Sequence, residues 1–124
     1  MDKDEMKRRA AAAIDAAAAK LESLARDIER EPELGFKEEK TAAKVENYLT
    51  ALGLSPETGL ALTGVKARAQ SGQAGPTVAV LSELDAVGTP DSPKADPLTG
   101  AAHTCGHFLQ MTTICLLYTS DAAD

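Results

Sequence analysis

Both histidines of the chain fall in one five-residue stretch, His103-Thr-Cys105-Gly-His107. Imidazole and thiolate are the usual ligands of zinc and similar divalent ions. Gly106 gives the backbone the freedom to turn so that Cys105 and His107 can converge on one ion. Two other readings stay open on these residues. The loop can be structural, with Cys105 buried and the histidines capping the helix that follows. Alternatively, Cys105 can be a nucleophile whose pKa is lowered by a helix start and two imidazoles, although no nucleophile signature flanks it.

A second group, Leu81-Ser-Glu83-Leu-Asp85-Ala, follows an apolar run. Carboxylates at the carboxyl end of a central strand lie where α/β proteins place their sites. Glu83 and Asp85 are two apart, so a continuing strand points both to one side. One or both can ligate a cation or orient a ligating histidine. A solvated strand end is the plain alternative.

These residues need a scaffold, and the hydrophobic periodicity supplies one. Ile14, Leu21, Leu24 and Ile28, with Ala17, Ala18 and Ala25, make one stripe, which predicts a helix over the first thirty residues. Pro32 ends it. A second helix is expected from about Lys37 to Leu52, burying Ala42, Val45, Leu49 and Leu52 and stopping at Gly53. Glu38, Glu39, Lys40, Lys44 and Glu46 read as its wet side. Val65, Ala67 and Ala69 alternate with polar residues as a half-buried strand, residues 71–75 turn, and Thr77–Leu81 reads as a central strand. The two strands are expected to form an antiparallel hairpin. Residues 88–100 are loop, and helix resumes near Phe108. Two helices, a strand pair, the metal loop and the start of a helix make an α/β pattern.

Composition narrows the function. Of 124 residues, 44% are hydrophobic, enough for a core, but only 3% are aromatic, so Ala, Leu and Val must build it. Thirteen basic against nineteen acidic side chains give a net charge of -6, which excludes the electrostatic footprint of a nucleic-acid or anionic-membrane binder. No apolar run approaches the roughly 20 residues of a spanning helix. The opening Met1-Asp-Lys-Asp-Glu does not read as a secretory signal. A cytoplasmic location is expected.

In this order, the motifs resemble those of a family of metal-dependent hydrolases. The family comprises aminoacylases, carboxypeptidases, indole-acetyl-amino-acid hydrolases and aminobenzoyl-glutamate hydrolases. The matching stretches are Glu33-Leu-Gly-Phe-Lys-Glu-Glu-Lys-Thr41, the run from Val45 to Leu54, Val78–Val87, and Ala102-His-Thr-Cys105-Gly-His107. The resemblance implies a metallopeptidase-type catalytic domain and a small amide substrate. It implies Cys105 and His107 as metal ligands, Asp85 as ligand or orienter, and His103 and Glu83 as outer residues. It also implies a divalent ion: Cys with His suits zinc, with manganese and cobalt open. Where the family usually has Asp or Asn, this chain has Phe108, which can neither ligate nor hydrogen-bond. The general-base glutamates and later histidine ligands of such enzymes have no counterpart here. The same is true of the segment that would decide whether the longer protein is a homodimer.

Residues 115–124, Cys-Leu-Leu-Tyr-Thr-Ser-Asp-Ala-Ala-Asp, can be encoded by a common transposase sequencing adaptor read in one frame. They are therefore read as a cloning or sequencing scar. Without Asp121 and Asp124 the charge goes from -6 to -4, so the chain stays acidic. The expectation is an inactive piece, residues 1–114, of a truncated catalytic domain. A small non-catalytic metal-binding module is the rival.

Overall fold

A computed structural model describes residues 2–121, with side chains through position 118. Helix α1 runs Lys3–Arg30. It starts where the Asp2 carboxylate accepts from the amides of Asp4 and Glu5, at 2.9 and 2.8 Å. This caps two donors that the helix itself leaves unpaired. The expected stripe is buried only in its second half, at Leu21, Ala25 and Ile28. Ile14 and Ala17 are half-buried and Ala18 is exposed, since no described element fully covers the helix before Leu21. The chain leaves α1 at Glu31, one residue before Pro32.

Helix α2 spans Glu39–Ala51. It ends as Gly53 predicts. The Gly53 amide donates to the Thr50 carbonyl at 2.9 Å and the Leu54 amide to that of Leu49 at 3.2 Å. With Gly53 at φ 83°, this is a Schellman termination. Its buried residues are Thr41, Val45, Tyr48 and Leu49, so Ala42 and Leu52, half-buried, sit at the margin of the stripe. One residue of the supposed wet side is not wet. Glu38 is buried, and its carboxylate accepts from the Thr63 hydroxyl at 2.7 Å. A buried acid needs such a partner, and Thr63, in a distant loop, is invisible to helical periodicity.

The expected hairpin is replaced by another. Strands β1 (Glu57–Leu60) and β2 (Gly64–Lys66) pair antiparallel, with Glu57 opposite Lys66. Ala61 and Leu62 make the turn at φ 46° and 87°. A side chain on Gly64 would meet the Leu60 carbonyl at 2.6 Å, so the close approach admits only glycine. Thr77–Leu81, read as a central strand, pairs with nothing among the described residues. Val78 is 81% and Leu81 89% exposed. Its composition asks for burial, yet a strand needs a neighbour to take its N–H and C=O groups, and no described strand pairs with it.

Strand β3 (Val87–Gly88) pairs antiparallel with β4 (Ala101–Ala102). These two short strands close the expected 88–100 loop. Inside it the Asp96 carboxylate gathers the amides of Leu98 and Thr99 and the Thr99 hydroxyl. Helix α3, His107–Asp121, resumes where expected and continues through positions 115–121. Positions 122–124 of the supposed scar lie outside the described residues.

The three helices share one core. Ile28, Val45, Leu49 and Met111 form its centre, flanked by Leu24, Val65, Leu84 and Phe108. Leu21, Tyr48 and Cys115 form an adjoining cluster. Helices and small sheets together make an α/β fold. No helix among the described residues is long and apolar enough to cross a membrane.

Candidate functional site

His107 is the first residue of α3, set there by Gly106 at φ 81°. Its ring faces the segment that leads into β3. Nδ1 lies 2.9 Å from the Asp85 carbonyl oxygen and 3.0 Å from Asp85 Oδ1. Nε2 lies 2.9 Å from Glu83 Oε2. The ring is largely buried, Asp85 half-buried and Glu83 exposed. The two carboxylates, two residues apart, thus reach opposite edges of one imidazole.

This arrangement demands positive charge. A neutral ring with its proton on Nδ1 satisfies Asp85 but turns a lone pair toward the Glu83 carboxylate. A second proton removes that repulsion, and so does a metal ion on Nε2. Burial works against the charged ring. The Asp85 hydrogen bonds and the Glu83 and Asp85 charges outweigh it and raise the His107 pKa above its ordinary value.

His103 is different. Both its ring nitrogens are buried and have no hydrogen-bond partner among the described residues. Its ring lies tilted against Phe108, with centroids 5.4 Å apart. Burial, and then the neighbouring His107, lower its pKa against the opposing pull of Glu29, Asp85 and Glu33. Phe108 therefore covers His103 and joins the core; it takes no part as a donor.

Cys105 is exposed, contrary to the reading that buries it. The other thiol, Cys115, is fully buried against Leu21 and Tyr48, and burial pushes its pKa up to about 11. Among the described residues, no three His, Cys, Asp or Glu side chains converge to hold a metal ion. The fold brings Glu83, Asp85 and His107 together, sets His103 beside Phe108, and leaves Cys105 at the surface. The donor chemistry still fits a divalent cation in part. Nδ1 is tied to a carboxylate, the usual support of a ligating histidine, while Nε2 faces an exposed acid and the neighbouring loop carries a thiol.

Periodicity missed one participant. The Glu33 carboxylate accepts from the Lys40 amide at 3.1 Å, the Thr41 amide at 2.7 Å and the Thr41 hydroxyl at 2.8 Å. It caps α2 from seven and eight residues upstream, beyond the reach of local capping rules. Its carbonyl accepts from the Ala86 amide at 2.7 Å, beside a parallel bridge between Leu34 and Ala86.

The proteins to which this α/β chain is similar carry the names of hydrolases. It is 40% identical over 79 residues to the putative amidohydrolase YhaA of Bacillus subtilis, a stretch that is 61% of this chain and 20% of that protein. It is 35% identical to thermostable carboxypeptidase 2 of Saccharolobus solfataricus, over 66% of this chain and 22% of that one. It is 31% identical to the IAA-amino acid hydrolase ILR1-like 6 of Arabidopsis thaliana, over 76% of this chain and 21% of that one. The chain is thus related to amidohydrolases, carboxypeptidases and IAA-amino acid hydrolases, as its motifs indicate, and it spans about a fifth of the length of these relatives. No family model matches it. No solved structure matches it.

Proposed function

We propose that the chain is part of a divalent-metal-dependent hydrolase that cleaves the amide bond of N-acyl or aminobenzoyl amino acids or small peptides. The observation that carries this reading is the His107 ring set between Asp85 and Glu83, an arrangement that requires a cation or a second proton. The relatives' names supply the reaction class.

Cys105 and His107 would hold the ion, zinc by donor type, with manganese or cobalt as alternatives. When bound, such an ion polarises an amide carbonyl and lowers the pKa of a water molecule. Asp85 keeps the His107 proton on Nδ1 and so leaves Nε2 for binding. Glu83, exposed, sets a carboxylate beside Nε2, where it would support a bound cation. His103, covered by Phe108, fills the wall behind the loop. Two protein donors fall short of the three that a catalytic site usually has, so the 124-residue chain is inactive alone and depends on ligands from a longer protein.

The test is hydrolysis of N-acyl and aminobenzoyl amino acids by the longer protein before and after exhaustive metal removal. Loss of activity on chelation, with recovery on adding zinc, manganese or cobalt, is expected. Activity that survives chelation contradicts the reading.

A further inference from the structure

We propose that Glu33 is a positioning residue of the site, holding Asp85, and through it His107, in place from the amino end of α2. Two bonds from one residue carry the inference. The Glu33 side chain is fixed by three donors at the start of α2, one of them the fully buried Thr41. Its own carbonyl receives the Ala86 amide at 2.7 Å. Ala86 is buried and directly follows Asp85. Asp85 in turn presents both its carbonyl and its carboxylate to His107 Nδ1. The path from helix to imidazole is therefore continuous, and it runs through Glu33.

Both atoms that Asp85 offers to the ring depend on the backbone at positions 85 and 86. The carbonyl direction is fixed by the peptide plane shared with the Ala86 amide. That same amide is the donor to Glu33. Rotating this plane by a modest angle breaks the Glu33 bond and swings the Asp85 carbonyl away from Nδ1 together. A carboxylate at a helix amino end is also held strongly, because the amides and the helix dipole favour negative charge there. The anchor is thus stiff where the site needs stiffness.

Glu38 provides the comparison. It is another acid at the start of α2, more buried than Glu33 and bonded to Thr63, but among the described residues no bond joins it to the 85–86 segment. A general loosening of α2 would follow from either substitution. A positioning role belongs to Glu33 alone.

The experiment compares Glu33→Gln and Glu38→Gln in the full chain. The ring 15N shifts of His107, read at one fixed pH, report which nitrogen carries the proton. Zn2+ affinity is measured alongside. The metal readout rests on the proposed function, while the tautomer readout does not. In Glu33→Gln the Nδ1-protonated population falls and Zn2+ binding weakens about tenfold, the usual scale for an outer support of a ligand. In Glu38→Gln both stay at the wild-type values. Thr41→Val, which deletes only the hydroxyl donor, shifts the tautomer in the same direction by less and serves if Glu33→Gln does not fold. Unchanged ring shifts in Glu33→Gln or, if it does not fold, in Thr41→Val, or equal changes in Glu38→Gln, overturn the proposal. A wild-type chain that binds no Zn2+ but shows the tautomer shift upholds Glu33 and contradicts the metal reading instead.

Discussion

Asp85 holds His107 with two oxygens at once, its main-chain carbonyl at 2.9 Å and its carboxylate at 3.0 Å from the same ring nitrogen. Removing the carboxylate leaves the carbonyl in place. In Asp85→Asn the ring orientation is retained, but its support by negative charge is lost. Zn2+ affinity, measured by titration calorimetry, is expected to fall about 10- to 100-fold. An unchanged affinity would remove Asp85 from the site.

The two histidines impose opposite pH slopes on stability. His107 has a raised pKa when folded. The native state then binds more protons, so its contribution is full below about 6.5, the ordinary histidine value, and is lost as pH rises through the folded value. His103 has a lowered pKa. Its contribution is full above about 6.5 and is lost as pH falls through the folded value. Urea midpoints across this range should show His107→Gln flattening the alkaline side and His103→Gln the acid side.

Gly106 matters for its backbone alone. It sits at φ 81°, and a Cβ there would meet nothing within 4 Å. Gly106→Ala should cost about 1–2 kcal/mol, the strain of a left-handed residue. The cost is read from urea unfolding and leaves the core untouched.

Ile28 is fully buried at the centre where the three helices meet. Ile28→Ala should destabilise the fold by about 2–5 kcal/mol and Ile28→Val by about 0.5–1.5 kcal/mol. Equilibrium unfolding separates the two. A loss for Ile28→Ala under about 1 kcal/mol would mean the helices do not pack this way.

The unpaired Thr77–Leu81 run exposes its apolar side chains. Edges of this kind promote association, and charge on them blocks it. Val78→Lys should leave stability within about 0.5 kcal/mol and reduce self-association in sedimentation velocity. Equal association by both chains would show that this segment is not the sticky one.

Helices were the most legible part of the chain. The Leu21–Ile28 stripe, the stop at Gly53 and the restart near Phe108 follow from local chemistry, so sequence and structure agree there. The strands were less legible, because pairing depends on a partner that periodicity does not name. Val78 and Leu81 have the residue types of a buried strand and lie in solvent, while Glu57–Leu60, with a glycine inside it, pairs. At the site, the two-residue spacing of Glu83 and Asp85 was read on a continuing strand, and no strand forms there among the described residues, although both acids reach His107. That they do so on opposite ring edges required the fold. Glu33 could be quoted as part of a motif, but its bonds reach 8 residues downstream to Thr41 and 53 downstream to Ala86. No local rule reaches that far.

The proposed function rests on Cys105 and His107 together holding a divalent ion. Cobalt tests it most directly, because thiolate bound to Co2+ gives a charge-transfer absorption that oxygen and nitrogen ligands lack. Adding Co2+ to the chain should produce this band in the wild type and in Cys115→Ala. It should be absent from Cys105→Ser and weakened in His107→Ala. A band that survives Cys105→Ser, or none in the wild type, would contradict the account.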